Sequence, residues 1–249
     1  MLADLLLSRG DVQYVERQLL PDMQRALGNA DHFLVHTVRG AALRCKGPAF
    51  YKEARLSLLC ALAQNAALTD VWTDLLKLDF SMGNSDLTES DARKLLGINP
   101  DHAFANYLMG NVLLLRGALR ESEDFLRRSI EKTPTAAACN DLAENLRLQR
   151  RLSDAEPFAR RALALEPELP PALDTLACIL FDAGHYEEAE QAAAKAVAGK
   201  PQLATYQLNL LRAQLRTGNK EGVRQRLDAL SQENGAIPDS LLKEISAMR

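Results

Sequence analysis

The stretch 173-LDTLACILFDAGHYEEAEQAAAKAVAGKP-201 decides the fold of this chain. Apolar residues recur at the helical spacing i, i+3, i+4 and i+7 on both sides of Gly184, and Pro201 follows the second run. Glycine allows a turn of the backbone that a Cβ atom would resist, and proline ends a helix because it has no N–H and clashes with the preceding turn. The stretch therefore predicts two helices that are joined at Gly184 and that end before Pro201.

The same pattern recurs along the chain. Four prolines are separated by 34, 33 and 34 residues, and an apolar or small residue lies 28 positions before three of them, with an asparagine before the fourth. The prolines are Pro100, Pro134, Pro167 and Pro201, and the residues before them are Trp72, Asn106, Cys139 and Leu173. The predicted turns fall at Gly83, Gly117, Arg150 and Gly184, and a further copy around Gly218 lacks the closing proline.

Two positions of each copy carry small residues. The first helices have Gly110, Ala143 and Ala177, and the second helices have Ser122, Ala155 and Ala189. Small side chains at these positions let the paired helices approach closely. Asp101 and Thr135 follow two of the prolines and are predicted to cap the next helix.

These positions together resemble the tetratricopeptide repeat (TPR), whose pattern W-x2-L-G-x2-Y…A-x3-F…P spans 34 residues. The similarity is strongest over residues 69–230 and is typical of bacterial TPR arrays. The resemblance implies an all-α solenoid of antiparallel helix pairs that forms a right-handed superhelix.

The whole chain, 1–249, is expected to form one TPR array. The expected segments are a partial repeat 1–28, a divergent repeat 31–66, repeats 69–102, 103–135, 136–169, 170–203 and 204–230, and a C-terminal capping helix 236–249. Residues 2–7 look like only the last part of a first helix, with Gly10 in its turn. This start predicts that the chain is a fragment of a longer TPR protein.

Composition argues against several classes of function. The formal net charge of -3 lacks the basic balance that is typical of nucleic-acid-binding domains. No apolar run approaches a membrane span, and the start lacks the features of a signal peptide. We expect a soluble protein, with the cytoplasm favoured and the periplasm possible if the native N-terminus is missing. Four cysteines without metal-ligand spacing are expected to be reduced packing residues.

No catalytic or phosphate-binding motif is present, and we expect no enzyme activity, catalytic residue, cofactor or metal site. His32 and His36 share a predicted helix face but lack a third ligand nearby in the sequence. His185 lies among Glu187, Glu188 and Glu190. We interpret this cluster as polar residues at the turn of a repeat and the start of its second helix, because acidic residues stabilise the first turn of a helix. A concentration of arginines at 147, 150, 151, 160 and 161 is interpreted as a salt-bridged surface.

The resemblance also implies where a partner binds. In TPR arrays the first helices of successive repeats line a concave groove, and the corresponding positions of this chain give a mixed apolar and polar set. These candidate partner-binding residues are Lys77, Phe80, Phe104, Tyr107, Asn111, Leu114, Asn140, Glu144, Arg147, Asp174, Phe181 and Arg212. Such a groove suits an amphipathic helix or an extended peptide.

The predicted function is a non-catalytic scaffold or adaptor that binds a peptide or helix of a partner protein in the concave groove. A second hypothesis is a regulatory or substrate-recruiting portion of a larger enzyme, or of an envelope or exopolysaccharide-export assembly. A nucleic-acid-binding helical repeat would need a more basic inner face than this chain offers. Self-association through the repeat ends is a further hypothesis.

Overall fold

The computed structural model describes residues 2–232, with side-chain surroundings given to residue 227. These residues form helices and turns without any strand. The chain divides into two compact units, Met1–Val112 (unit 1) and Leu113–Arg249 (unit 2). The predicted capping helix 236–249 lies outside the described residues, and the predicted repeat boundaries stay a prediction.

Unit 1 begins with a short helix and continues as helix pairs. After the turn at Gly10, a second helical stretch contains one π-helical segment, Val15–Leu19. Helix α4 packs against α5, and α6 packs against α7. The helices are α1 (Leu2–Ser8), α2 (Val12–Tyr14), α3 (Leu20–Leu27), α4 (Phe33–Cys45), α5 (Tyr51–Gln64), α6 (Thr69–Ser81) and α7 (Ser85–Ile98), with a 3-10 turn at Pro48–Phe50.

Helix α8 (Ala103–Leu115) contains the boundary between the units, and unit 2 continues with further pairs. Helix α10 packs against α11, α12 against α13, and α14 against α15. Each of these pairs also contacts the next one in sequence. The helices are α9 (Leu119–Lys132), α10 (Ala136–Leu148), α11 (Leu152–Leu165), α12 (Pro170–Asp182), α13 (Tyr186–Gly199), α14 (Ala204–Thr217) and α15 (Lys220–Gln232). The predicted all-α arrangement of helix pairs is confirmed.

The turns inside the pairs lie where the sequence predicts them. The backbone is left-handed at Gly83, Gly117, Gly184 and Gly218, with φ between 67° and 87°. Arg150 adopts the same conformation, with φ of 63°, although it carries a side chain. An L-residue pays for this conformation because its Cβ approaches the carbonyl oxygen. The repeat therefore imposes the turn even where the sequence lacks glycine.

The prolines also end the second helices as predicted. Each second helix stops two residues before its proline, and the residue in between is extended. Asn99, Thr133, Glu166 and Lys200 have φ between -150° and -135°. Proline disfavours the helical conformation of the residue before it. Each proline therefore determines both where the second helix ends and the direction in which the chain leaves it.

The small residues allow the close contacts for which they were predicted. Ala143, Ala177, Ser122, Ala155 and Ala189 are at most 3% exposed, so each is enclosed by neighbouring helices. In unit 2, the cluster around Ala177, Ala193 and Ala196 also includes residues of α14, such as Tyr206 and Leu210. The apolar core therefore continues from one pair into the next.

One predicted helix cap is right and the other is wrong. Thr135 Oγ1 accepts a hydrogen bond from the Ala138 amide at 3.2 Å, as expected of an N-cap residue. Asp101 does not cap α8, because the helix begins one residue later and His102 Nδ1 accepts from the Ala105 amide at 3.2 Å. His102 Nε2 also lies 3.1 Å from Thr73 Oγ1, so this histidine links α8 to α6.

Unit 1 contains a buried ion network that the sequence pattern did not indicate. Arg55 of α5 donates to Asp79 of α6 at 2.8 Å and to Asp91 of α7 at 2.6 Å. Lys94 donates to the second Asp91 oxygen at 2.7 Å. Both aspartates are at most 1% exposed, so their charges depend on these cations. The network ties three successive helices together.

The left-handed Arg150 allows a direct test of turn strain. Arg150→Gly should raise the free energy of unfolding by about 0.5–1 kcal/mol, because the relief of strain exceeds the entropy cost of glycine. Gly184→Ala, at the equivalent turn, should lower it by about 1 kcal/mol. Urea denaturation followed by circular dichroism measures both changes. A loss of stability in Arg150→Gly would show that the arginine side chain contributes more than its backbone costs.

Burial makes Asp79 a pH-sensitive element of unit 1. Desolvation raises the pKa of Asp79 to about 6, although Arg55 opposes the shift and Asp91 adds to it. A carboxyl group with a raised folded-state pKa contributes stability at low pH, and this contribution is lost as the pH rises through about 6. Between about pH 4.5 and pH 7.5, wild type should therefore lose roughly 1–3 kcal/mol relative to Asp79→Asn. Parallel pH profiles of the two proteins in urea denaturation would contradict this assignment.

Candidate functional site

In unit 2, α10, α12 and α14 are the first helices of three successive pairs, and they share one face. Helix α12 contacts α10 and α14 directly. The predicted groove residues of unit 2 lie on these helices, apart from Leu114, which is half-buried near the end of α8. They are Asn140, Glu144 and Arg147 on α10, Asp174 and Phe181 on α12, and Arg212 on α14.

A cleft opens on this face, and we call it the arginine cleft. Its cavity volume is about 160 Å³. Three predicted residues, one from each first helix, contribute to its wall: Arg147, Phe181 and Arg212. The complete lining is Arg147, Arg150, Ala177, Cys178, Phe181, Asp182, Asn209 and Arg212.

Arg147 is fully engaged by carboxylates of the protein. Its Nε and Nη2 atoms donate to the two oxygens of Glu144 at 2.7 and 2.8 Å, one turn earlier on α10. Its Nη1 atom donates to Asp182 at 2.9 Å, at the end of α12. The hydrogen bonds to Glu144, together with Asp182, raise the pKa of Arg147. Arg147 therefore organises the cleft by joining α10 to α12, and its charge is already balanced.

Arg212 presents its charge differently. Its guanidinium lies over the Phe181 ring, 4.7 Å from the ring centroid, and the other edge of Phe181 contacts Tyr186 at 5.3 Å between centroids. Among the described residues, no carboxylate lies within ion-pair distance of Arg212. A cation held flat on an aromatic ring keeps its outer donors available. The cleft therefore combines an available guanidinium with an apolar ring.

Half-buried polar groups lie at and next to the arginine cleft. Asn209 donates to Asp174 at 2.9 Å, which joins α14 to α12. Burial raises the pKa of Asp174, an effect that the Asn209 hydrogen bond opposes and the Glu144 charge reinforces. Burial likewise raises the pKa of Cys178 to about 12, so its thiol stays protonated at neutral pH. The cleft therefore contains an uncharged thiol, and its Asn209 side chain is hydrogen-bonded to a carboxyl group outside the lining.

Asn140 lies on the same face and holds an unused acceptor. Its Nδ2 atom lies 3.4 Å from the Asp141 carboxylate. Its Oδ1 atom is buried and has no hydrogen-bond partner. A buried acceptor without a donor is costly.

The remaining predicted groove residues belong to unit 1. Lys77 is exposed and lies 3.4 Å from Asp74, one turn earlier on α6. Phe80 of α6 is 46% exposed, which is unusual for a phenylalanine without a covering element. Phe104 and Tyr107 of α8 pack ring against ring at 6.3 Å between centroids, and Asn111 is half-buried on the same helix.

The candidate set of the sequence analysis lacks five residues of the arginine cleft: Arg150, Ala177, Cys178, Asp182 and Asn209. Asp182 follows the predicted residue Phe181, and both Asp182 and Asn209 contact neighbouring first helices at the cleft. Arg150 is brought in by its left-handed turn and lies 3.7 Å from Asp182. An arginine in place of a turn glycine is the one sequence signal that could have identified it.

The histidines and acidic residues that suggested chemistry have structural partners. His32 Nδ1 accepts from the Leu34 amide and caps α4, whereas His36 is buried and lies 2.7 Å from Asp31. His185 occupies the N-cap position of α13, as its interpretation as a turn residue predicted. Within the described part of the chain, no group of three or more potential ligands could hold a metal ion.

Glu190 has a definite partner in the next repeat. Its two oxygens accept hydrogen bonds from Thr217 Oγ1 and Asn219 Nδ2, both at 2.6 Å, at the turn between α14 and α15. Glu123 occupies the equivalent position in α9 and accepts from Gln149 at 2.9 Å and Arg151 at 2.8 Å, at the turn between α10 and α11. A glutamate in the second helix thus holds the turn of the following pair.

The arginine concentration is largely salt-bridged, as predicted. Arg151 pairs with Glu123 and Asp154, and Arg160 pairs with Glu156 and Glu188.

The free cysteines differ from the expected packing role in two of four cases: Cys139 is buried and Cys178 half-buried, but Cys45 and Cys60 are exposed. Among the described residues, no helix has the length and apolar character needed to cross a membrane.

Comparison with known proteins agrees with this geometry. A family model described as tetratricopeptide repeat matches residues 135–165 and 172–200, which correspond to α10–α11 and α12–α13. Among curated proteins, no match is found.

Solved structures share the fold at low sequence identity. The type IV pilus biogenesis factor PilW is 21% identical with a TM-score of 0.70, covering 86% of this chain and 97% of its own. PilF of Pseudomonas aeruginosa is 16% identical with a TM-score of 0.70, covering 87% and 97%. YrrB, described as a TPR protein with an unusual peptide-binding site, is 20% identical with a TM-score of 0.57, covering 70% and 91%.

The helix pairs, their turns and their shared first-helix face define an α-solenoid. The matched segments make the class specific over their own range: residues 135–165 and 172–200 match the tetratricopeptide repeat.

The contact between Glu190 and the next turn should be measurable as stability. Glu190→Ala leaves Thr217 and Asn219 without their acceptor and should lower the free energy of unfolding by roughly 1–3 kcal/mol. Glu187→Ala, three residues earlier and exposed, should cost no more than roughly 0.5 kcal/mol. Equal effects of the two substitutions in urea denaturation would show that Glu190 acts only through the helix dipole.

Proposed function

We propose that this protein is a non-catalytic interaction scaffold or adaptor that binds a peptide or helix of a partner protein on the face of its first helices. The observation that carries the proposal is the arginine cleft, where Arg147, Phe181 and Arg212 come together from α10, α12 and α14. Residues from three successive repeats thus form one surface, which a single bound segment could contact along its length.

The chemistry of the cleft favours a segment with an acidic and an apolar side chain. Arg212 offers its guanidinium donors beside the Phe181 ring, and Arg150 is 78% exposed at the rim with only a 3.7 Å approach to Asp182. A carboxylate of the partner would pair with these cations, and an adjacent apolar side chain would cover Phe181 and Ala177.

The groups in the cleft support binding more than catalysis. The thiol of Cys178 is held neutral by burial, and Glu144 and Asp182 are committed to Arg147. No histidine lines the cleft, so a nucleophile with an adjacent base is not assembled there. Glu144 and Asp182 balance Arg147, which leaves only Arg150 and Arg212 to meet a ligand, and so small a positive patch favours a peptide carboxylate over a nucleic acid.

Unit 1 carries its own set of predicted contact residues. Phe80 is exposed on α6, and the Phe104–Tyr107 pair lies on α8 with Lys77 and Asn111 among the predicted contacts. These residues suit apolar side chains of a partner segment in the same way as Phe181. YrrB, which shares the fold, is described as having a peptide-binding site.

Affinity capture with matched variants tests the proposal. The full chain is immobilised, exposed to lysate of the source cells, and compared with Phe181→Ala/Arg212→Glu and with Arg224→Glu. A partner identified by mass spectrometry should bind the cleft variant at least about tenfold more weakly, because it loses both the ring and the cation. Arg224→Glu makes the same charge change on α15, outside the cleft, and should bind within about twofold of wild type.

Isothermal titration with the identified partner segment gives the affinities, and circular dichroism confirms that the variants remain folded. A partner that binds wild type and the cleft variant equally would overturn the assignment of the arginine cleft. Turnover of a captured small molecule by the purified chain would contradict the non-catalytic function.

A further inference from the structure

Unit 2 has a further pocket, which is lined mainly by its second helices α9 and α11; we call it the second-helix pocket. Its cavity volume is about 260 Å³. It shares no residue with the arginine cleft, which lies on the first helices. Its lining is Arg127, Ile130 and Glu131 of α9, Leu142 of α10, and Phe158 and Arg161 of α11.

The interior of the second-helix pocket is apolar. Ile130 and Leu142 are 6% and 0% exposed, so the pocket reaches down to the core of the helix pairs. Phe158 lines it from α11 and is only half-buried. The equivalent position of α13, 34 residues later, holds Ala192, which is buried. The pocket therefore offers an aromatic side chain where the next pair has only a buried methyl group.

Arg127 is bound within the protein and gives the pocket its shape. Its guanidinium lies over the Phe158 ring, 5.4 Å from the ring centroid, which connects α9 to α11. Its Nε atom donates to Glu123 at 2.8 Å, one turn earlier on α9. Because the carboxylate balances its charge, Arg127 orders the wall of the pocket and offers no free charge to a ligand.

Two other charged residues of the lining have no ion pair. Arg161 of α11 and Glu131 of α9 are exposed, and no oppositely charged group among the described residues lies within ion-pair distance of either. Arg128, at the position of α9 equivalent to Arg161, lies over the Phe125 ring at 5.2 Å from the centroid. The pocket thus has an available cation on its α11 side and an available carboxylate on its α9 side.

We propose that the second-helix pocket is a docking site for a helical segment of a partner protein that carries an apolar anchor residue between an acidic and a basic one. The anchor would enter the pocket and pack against Phe158, the acidic residue would pair with Arg161, and the basic residue would pair with Glu131. A cavity of about 260 Å³ has room for one large apolar side chain, so the site would select a single anchor.

This proposal goes beyond the function proposed above. The two sites of unit 2 lie on different helices and share no residue, so each could be occupied without excluding the other. The protein would then hold two partner segments at once, one on its first helices and one on its second helices.

A nucleic acid is a poorer occupant of the second-helix pocket. Arg161 is the only cation of this lining without an ion pair to another described residue, and Glu131 would repel phosphate groups. Binding to a phosphate backbone depends on several cations that displace counterions. A helix, in contrast, can present both signs of charge on the face that carries its anchor, since residues four positions apart lie side by side.

The probe is a fluorescein-labelled, alanine-based peptide of about 15 residues, a length at which a helix can form on binding. It carries one phenylalanine as the anchor, a glutamate four residues before it and a lysine four residues after it, which places all three on one face. Fluorescence anisotropy with the full chain should give saturable binding. Replacing the phenylalanine of the peptide by alanine should weaken binding by at least about tenfold.

Variants of the full chain locate the site, and α9 provides a matched control for each. Phe158→Ala and Arg161→Glu should each weaken binding of the peptide by about tenfold or more. Phe125→Ala and Arg128→Glu make the same changes at the equivalent positions of α9, which do not line the pocket, and should bind within about twofold of wild type. Circular dichroism confirms that the variants are folded, and Ala192 shows that the repeat accepts alanine at the Phe158 position.

A change of charge in the peptide tests the pairing with Arg161. A peptide with lysine in place of its glutamate should bind wild type more weakly than the original peptide does, but should bind Arg161→Glu more tightly. The same reversal of preference in Arg128→Glu would show that the attraction is nonspecific and would overturn the proposal.

No saturable binding, or equal effects of Phe158→Ala and Phe125→Ala, would also overturn it. Concentration-dependent dimerisation that Phe158→Ala abolishes would contradict it, because the pocket would then bind a second copy of the chain. Phe181→Ala/Arg212→Glu should leave binding of the peptide unchanged, so failure at the second-helix pocket is distinguishable from failure at the arginine cleft.

Discussion

The close approach of the two helices in each pair is the constraint on which the rest of this structure depends. Ala143 with Ala155, and Ala177 with Ala189, are almost fully buried and leave no room for larger side chains. In unit 1, a Cβ atom added to Gly40 of α4 would lie 2.7 Å from the Leu58 side chain of α5, so this contact requires glycine. Small residues fix the separation of the two helices in a pair. The left-handed turn and the proline at the end of the second helix then give each pair the same orientation relative to the preceding one.

The shared face of the first helices follows from that repetition. Because α10, α12 and α14 occupy equivalent places, residues 33–35 positions apart in the sequence become neighbours, as Arg147 and Asp182 show. The arginine cleft therefore arises from the regular spacing of the helix pairs and not from a specialised loop.

Local rules made the turns, the helix ends and the small-residue contacts predictable, because proline, glycine and alanine act on their immediate surroundings. The register also predicted that Phe181 and Arg212 face the same side. It could not predict that Arg147 is balanced by Glu144 and Asp182 while Arg212 is not, since pairing depends on the reach of side chains between repeats. The Arg55–Asp79–Asp91 network was missed for the same reason. The capping of α8 by His102 depended on a one-residue difference in where the helix begins.

The span of these contacts along the chain has a consequence for how the protein folds. Glu190 reaches Asn219 over 29 residues, Arg147 reaches Asp182 over 35, and Arg55 reaches Asp91 over 36. Each contact therefore closes a loop of about one repeat, and loop-closure entropy grows only slowly beyond such lengths. Low contact order of this kind is associated with rapid folding, so a repeat can form on its neighbour as soon as it leaves the ribosome. The same locality lets an end repeat open while the interior ones remain folded.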